Sequence, residues 1–142
     1  MNTEVTVQAK NTRQEFAIRN ELDIITARQA AREVARQTGF RLVLGTWIAT
    51  VVSELARNIL LYAQEGSITI TVSVINDKQY IEIVAHDHGP GIANIDLAMS
   101  DGYSTRRGMG MGLPGSKRLM DDFQIESHLG QGTTVKARKW LL

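Results

Sequence analysis

The chain has no cysteine, only two prolines and few aromatic residues. Without cysteine, a disulfide framework, a thiolate metal site and a cysteine nucleophile are excluded, and a reducing compartment is the natural setting. Residues 1–10 alternate polar with apolar side chains and lack the continuous apolar core of a signal peptide, and no segment approaches membrane-spanning length. We therefore expect a cytoplasmic protein with no membrane partner.

Charge is nearly balanced, since 16 basic and 15 acidic residues leave a formal net charge of +1. Arginines enrich the first third of the chain: Arg13, Arg19, Arg28, Arg32, Arg36 and Arg41. They are not interleaved with aromatic residues on which bases stack, so a solvated helix face explains them better than a nucleic-acid surface. No nucleic-acid partner is expected.

The size and composition are those of one globular domain. At 142 residues, with 43% hydrophobic and 22% charged residues, the chain is long enough to bury a core without metal or disulfide support. We expect a single domain over residues 1–142, in which residues 1–12 form a loosely ordered N-terminal extension.

Apolar periodicity predicts the order of the elements. The predicted elements are a strand at 15–19, a helix from an N-cap at Asp23 to Gly39, a helix at 45–63, a hairpin of strands 67–74 and 80–86, a helix from about Leu113, and closing strands at 123–128 and 133–140. Residues 89–112 are glycine-rich and are predicted to be irregular. About three helices on one face of a mostly antiparallel, mixed sheet make an α+β fold, a two-layer α/β sandwich.

Glu54 and Asn58 form the first group of residues that can carry chemistry. They stand one helical turn apart and project from the same face of the second predicted helix. A carboxylate can take a proton from a hydroxyl nucleophile, and an amide oxygen is a suitable ligand for magnesium. From this pair alone, two solvated polar residues on an exposed helix face are the preferred interpretation.

Asp87 ends the second strand of the predicted hairpin and forms the second group with the glycines that follow it. Ile83 and Ala85 share its parity, so the apolar face of the strand leads to this carboxylate, which we expect to face inward. An inward acid can accept a hydrogen bond from the exocyclic amine of adenine, and Gly89 and Gly91 would let the backbone approach a flat ring. A turn in which Asp87 caps local amides explains these residues equally well.

The third group is a glycine loop that contains Gly108, Gly110 and Gly112 and runs into the last predicted helix. Exposed amides at that helix start would suit phosphate oxygens, and Arg106 would add positive charge, although a loop arginine is more often merely solvated. The polar segment before the loop has no strand pattern, which argues against a dinucleotide fold. The chain also lacks the Gly-Lys-Ser/Thr of a P-loop and the His-Arg-Asp and Asp-Phe-Gly elements of ordinary protein kinases.

Histidines near Asp87 raise the question of a metal site. His86 and His88 flank Asp87 in the sequence, but strand alternation points them the opposite way, and His128 is far along the chain. A structural zinc site is not expected, because the ligands are too few.

The order of these groups resembles the GHKL ATPase superfamily. A Glu-x-x-x-Asn helix, an Asp-x-Gly-x-Gly turn and a Gly-x-Gly-x-Gly loop are similar to its N, G1 and G2 boxes, and a late Gly-Thr pair is similar to the element that closes its adenine pocket. The resemblance covers nearly the whole chain from about residue 15. Within the superfamily, the segments Glu-Leu-Ala-Arg-Asn, Asp-Gly-Tyr-Ser-Thr and Gly-Leu-Pro-Gly-Ser-Lys-Arg-Leu-Met-Asp-Asp-Phe resemble the RsbT-type switch kinases of bacterial stress signalling. Related anti-sigma factor kinases usually carry Thr and His where this chain has Arg57 and Tyr62, a difference that favours the switch-kinase group.

The resemblance implies a Bergerat-type (GHKL) serine/threonine kinase that uses ATP and Mg²⁺, with Glu54 as the general base toward a serine hydroxyl and Asn58 as the magnesium ligand. It implies that the following residues bind the cofactor: Asn58, Asp87, Gly89, Gly91, Ile92, Arg106, Gly108, Gly110, Gly112, Leu113 and Thr133. The implied partners are STAS-domain proteins, namely an antagonist and the stressosome scaffold. A downstream effector, a phosphatase or another signalling enzyme, would be activated by partner exchange.

Three other functions stay open as alternatives. One is an anti-sigma factor kinase, and another is a module that binds partners in response to nucleotide without transferring phosphate. The third is the catalytic fragment of a histidine kinase, which we do not expect because no dimerisation helix with a phosphoacceptor histidine precedes the domain.

Overall fold

The computed structural model describes residues 12–100 and 112–142. Its helices and strands follow in the order β1 (Arg13–Ile18), α1 (Glu21–Thr38), α2 (Leu42–Ala63), β2 (Gly66–Ile75), β3 (Lys78–Asp87), α3 (Ile95–Ala98), α4 (Gly112–Leu119), β4 (Asp122–His128) and β5 (Gly132–Trp140). Residues 1–11 of the extension predicted at 1–12, and three predicted site residues, Arg106, Gly108 and Gly110, lie outside the described residues.

The five strands form one sheet in the order β1-β2-β3-β5-β4, and all four pairings among the described strands are antiparallel. A mixed sheet was therefore the wrong expectation for these strands, whereas the α+β class with helices on one face is confirmed. Ile70, Ile83 and Ala137 stand side by side on β2, β3 and β5 and are fully buried, because this face of the sheet is covered by the helices.

The two-residue turn between β2 and β3 consists of Asn76 and Asp77. Their φ angles are 53° and 66°, both left-handed, a conformation that asparagine and aspartate tolerate better than other residues with a side chain. This is the geometry of a tight hairpin turn, and it fixes the register in which Ile70 faces Ile83.

Helix α1 begins three residues earlier than predicted. Asn20 is the N-cap, and its Oδ1 accepts a hydrogen bond from Asp23 N at 3.0 Å. Asp23 sits in the first turn and accepts from Arg19 N at 2.8 Å, so it supports the cap rather than forming it. At the other end, Gly39 ends the helix in the left-handed conformation, with φ 110°, as predicted.

Helix α2 is the central helix of the core. It starts at Leu42 rather than at the predicted Gly45. Gly45 packs closely on α1, because a Cβ at this position would already be in van der Waals contact with Ala35. The helix is long and apolar enough to cross a membrane by length and composition, so the expectation that no segment approaches that length was wrong. Since 56% of its most apolar window is buried within the protein, its hydrophobicity is that of a core helix.

The cap of α1 generates the first testable prediction. Asn20→Ala removes the acceptor for Asp23 N, and we expect a loss of about 1 kcal/mol in the free energy of unfolding, measured by urea denaturation. Gln29→Ala, an exposed position in the same helix, is the control and should be nearly neutral. Equal stabilities for the two variants would contradict the role of Asn20.

Candidate functional site

A cavity of about 330 Å³ opens beside α2, between the ends of β3 and β5 and the segment that follows β3. It is lined by Leu55, Asn58, Ile59, Tyr62, Ala85, Asp87, Pro90, Gly91, Ile92, Ala93, Asn94, Leu97, Ala98, Leu113, Thr133 and Val135. Six of the predicted cofactor-binding residues are among them: Asn58, Asp87, Gly91, Ile92, Leu113 and Thr133. Elements distant in sequence therefore bring most of the predicted site together.

Asn58 and Glu54 occupy different positions relative to the cavity. Asn58 is half-buried and lines the cavity, whereas Glu54 does not line it and is only 9% exposed. Glu54 Oε1 accepts a hydrogen bond from Gly112 N at 3.2 Å, and its Oε2 lies 3.3 Å from Arg57 Nη1. A solvated Glu54 on an exposed face, the interpretation preferred from the pair alone, was thus wrong.

On α2, Glu54 lies between the face that lines the cavity and the face that meets solvent. Leu55 and Asn58 belong to the face that lines the cavity, and Arg57 and Leu61 belong to the face that meets solvent. Helical spacing places residue 54 at the border of these two faces. The carboxylate is therefore next to the cavity wall without forming part of it.

Asp87 both faces the cavity and caps a local amide. It shares the face of β3 with the buried Ile83 and Ala85 and lines the cavity, as the parity of the strand predicts. Its Oδ1 also accepts a hydrogen bond from Gly89 N at 2.9 Å, so the carboxylate caps a local amide while it faces the cavity. That bond fixes the carboxylate orientation toward the pocket.

The two glycines after Asp87 are required by packing. Gly89 does not line the cavity, and a Cβ there would come within 2.6 Å of Ala63 Cβ. Gly91 lines the cavity with φ +82°, and a Cβ there would come within 2.5 Å of the His128 carbonyl oxygen. Both glycines are needed by the protein packing itself, whether or not a ring approaches them.

Ser127, which the sequence analysis missed, joins the rim of the cavity to the β4–β5 hairpin. Its Oγ accepts a hydrogen bond from Ile92 N at 2.7 Å and lies 2.8 Å from Thr133 Oγ1. Pro90 O accepts a further bond from Gly130 N at 2.8 Å. The sequence offered one signal for Ser127, since it faces Thr133 across the predicted closing hairpin.

Most of the cavity wall is apolar. The side chains that form this surface were not predicted as site residues: Leu55, Ile59, Ala85, Leu97, Ala98 and Val135. An apolar slot edged by the Asp87 carboxylate and by the amides of Asn58 and Asn94 suits a flat heterocycle that presents a hydrogen-bond donor. Asp87 would accept that hydrogen bond, and Asn58 lies on the α2 side of the same slot.

The start of α4 meets α2 at the edge of the cavity. Gly112 is buried with φ +67°, and its amide is bonded to Glu54, while Leu113 lines the cavity. The amides at this helix start were expected to face phosphate oxygens. The Gly112 amide instead donates its hydrogen bond to the carboxylate of Glu54.

The histidines beside Asp87 pack on each other. The rings of His86 and His88 lie edge to face with centroids 4.7 Å apart, and His86 Nδ1 is 2.7 Å from Thr134 Oγ1. Within residues 12–100 and 112–142 no group of three His, Asp or Glu side chains is arranged to hold a metal ion.

The comparisons with known proteins identify the family. Residues 44–141 match the family of histidine kinase-, DNA gyrase B- and HSP90-like ATPases. The chain belongs to this family, the GHKL ATPases. Its ATPase domain implies that it binds ATP.

Two relatives show which members of the family this chain is similar to. The chain is 50% identical over 124 residues to serine/threonine-protein kinase RsbT of Bacillus subtilis (strain 168), which covers 87% of this chain and 93% of that relative. It is 35% identical over 100 residues to anti-sigma F factor of Caldanaerobacter subterraneus subsp. tengcongensis, covering 66% of this chain and 68% of that relative. The prediction of a GHKL-type serine/threonine kinase of the RsbT group is confirmed.

A solved structure supports the fold. The crystal structure of the SiaB–SiaC complex from Pseudomonas aeruginosa superposes with a TM-score of 0.56 over 98% of this chain and 95% of that chain. Since only 13% of residues are identical, this likeness shows the fold alone.

The cavity generates the second testable prediction. Asp87→Asn keeps the size of the side chain but loses the negative charge, and we expect ATP affinity to fall about tenfold or more in calorimetric titration. Asp77→Asn, in the β2–β3 turn where asparagine also tolerates a positive φ, is the matched control and should bind ATP normally. An unchanged affinity for Asp87→Asn would remove Asp87 from the nucleotide site.

Proposed function

We propose that the chain is an ATP- and Mg²⁺-dependent serine/threonine kinase that phosphorylates STAS-domain proteins of a stressosome-type partner-switching module in the cytoplasm. After transfer it exchanges partners and activates a downstream effector. The observation that carries the proposal is the buried carboxylate of Glu54. It lies between the solvent face of α2 and an apolar cavity that Asp87 helps to line. The identity of 50% to a protein named serine/threonine-protein kinase supports the reaction class.

In this proposal the cavity holds the nucleotide. The apolar wall would hold the adenine ring, Asp87 would accept a hydrogen bond from its amine, and Ile92 and Thr133 would contact it from the β3 and β5 sides of the cavity. The hydrogen bonds of Ser127 to Ile92 N and with Thr133 Oγ1 hold these two segments together.

Asn58 fits the role of a magnesium ligand. Mg²⁺ in phosphoryl-transfer sites needs few protein oxygens, because water and the phosphates complete its octahedral shell. The Asn58 side chain lies in the cavity and offers one amide oxygen of this kind. When bound, the ion neutralises charge on the phosphates, and the protein's part is to hold it beside the nucleotide.

Glu54 is the proposed general base. The serine oxygen of the acceptor attacks the γ-phosphorus of ATP, the bond to the bridging oxygen breaks so that ADP leaves, and the serine proton passes to the Glu54 carboxylate. The carboxylate is one helical turn from Asn58, so base and metal ligand share the same segment of α2. For the transfer, Glu54 must accept the serine proton at an oxygen that now contacts Arg57 or Gly112.

Phosphate on a STAS-domain surface would add negative charge to a packed interface. Repulsion and the cost of desolvating that charge weaken such an interface, which is the physical basis for partner exchange.

Two alternatives have specific support. Both oxygens of Glu54 contact donors of the protein, which favours a module that binds partners in response to nucleotide without transferring phosphate. The 35% identity to an anti-sigma F factor favours an anti-sigma factor kinase.

The third testable prediction concerns the reaction itself. The chain, incubated with labelled ATP, Mg²⁺ and a purified STAS-domain protein, should place label on a serine or threonine. Glu54→Gln should keep ATP binding and lower the transfer rate about 10²- to 10⁴-fold, because the amide cannot accept the proton.

Glu65→Gln, the same change at an exposed position just after α2, is the control and should transfer phosphate at the wild-type rate. A wild-type rate in Glu54→Gln would show that the base is wrong. Absence of label on every STAS protein would favour the non-catalytic module, and label on histidine would favour a histidine kinase.

A further inference from the structure

A stripe of six residues runs along α2 through the proposed base. It consists of Val43, Trp47, Thr50, Glu54, Arg57 and Leu61, hereafter the α2 stripe. The spacing alternates between four and three residues, which keeps successive side chains on one side of a helix. The proposed base thus lies near the centre of one continuous face of α2.

The ends of the α2 stripe expose apolar side chains. Val43 is 51% exposed, Trp47 37% and Leu61 47%, although each belongs to the central helix of the core. Thr50 does not make the stripe more polar, because its hydroxyl donates to Thr46 O on its own helix at 2.8 Å. Exposed apolar groups arranged in a row on one helix are typical of a contact surface.

Trp47 is held in place before any partner arrives. The ammonium of Lys139 lies 5.1 Å from the centre of its ring, and that ammonium is itself fixed by Leu119 O at 3.0 Å and Asp121 Oδ1 at 3.4 Å. A rigid, partly exposed tryptophan loses little conformational entropy on binding, and tryptophan is one of the residue types enriched at interface hot spots.

The two oxygens of the Glu54 carboxylate have different surroundings. Its Oε1 faces the buried Gly112, whereas its Oε2 faces Arg57, whose side chain is 34% exposed. Access from solvent is therefore through Oε2, along the α2 stripe. The other neighbouring face of α2 lines the nucleotide cavity, so nucleotide and hydroxyl would meet at Glu54 from opposite sides.

We propose that the α2 stripe is the docking surface for the phosphoacceptor protein, with Val43 and Trp47 on one side of Glu54 and Leu61 on the other. The inference rests on the proposed kinase function, because only an acceptor protein has to bring a hydroxyl to Glu54. Trp47 and Leu61 each stand seven residues from Glu54, about 10 Å along the helix. A standard interface covers about 800 Å² of each partner, a disc of roughly 16 Å radius, so an acceptor centred on Glu54 contacts both.

The test compares charged variants inside and outside the stripe. The probe is a purified STAS-domain protein that the wild-type chain phosphorylates. Val43→Glu and Leu61→Glu should each raise the KM for that protein about tenfold, because a charge must then be desolvated at the interface. Calorimetric ATP affinity should be unchanged in both variants.

Leu22→Glu is the matched control. Leu22 is 68% exposed on α1 and lies outside the stripe, so its variant should keep the wild-type KM for the STAS protein. A second readout is the emission of Trp47 in a Trp140→Phe background, which should change when the unphosphorylated STAS protein is added.

Several outcomes would overturn the inference. If the wild type phosphorylates the STAS protein but both stripe variants keep its KM, docking occurs elsewhere while the proposed function stands. If Val43→Glu converts a dimer of the chain alone into a monomer in sedimentation, the stripe is a contact between copies. If the wild type transfers no phosphate to any STAS protein, the proposed function fails and the inference fails with it.

Discussion

A carboxylate buried as deeply as that of Glu54 is costly unless donors surround it, and this requirement ties the site together. Gly112 N and Arg57 Nη1 supply the donors, one from the start of α4 and one from the next turn of α2. The same side chain thereby fixes the approach of α4 to α2, beside the wall to which Leu113 contributes. Loss of the carboxylate would remove a contact between elements as well as a proposed base.

The main architecture could be predicted from sequence because it depends on local periodicity. Alternation in β2 and β3 gives the buried face, and the same parity carries Asp87 to the cavity. In α2, Leu55 and Asn58 are three residues apart, and this helical spacing places both on the face that lines the cavity. The prediction of a GHKL-type serine/threonine kinase came from the order of the three boxes, and the comparisons with known proteins confirm it.

Other features escaped prediction because tertiary contacts decide them. Ser127 looks like any strand serine until the hairpin brings it to Ile92. The burial of Glu54 depends on α4 docking against α2, which no local pattern reveals. The short helix α3, within the stretch predicted to be irregular, is set by an Asn94 cap over a single turn that carries little periodicity. The need for glycine at position 89 comes from its close approach to Ala63. That approach joins two segments whose proximity cannot be read from the sequence.

The central claim is that one nucleotide lies between Asp87 and Asn58 with its terminal phosphate reaching Glu54. A crystal structure of the chain with Mg²⁺ and a non-hydrolysable ATP analogue tests it most directly. The account predicts adenine in the apolar slot with its amine bonded to Asp87, magnesium on Asn58, and the γ-phosphate beside the Glu54 carboxylate. An analogue bound outside this cavity, or bound there with its γ-phosphate pointing away from Glu54, would contradict it.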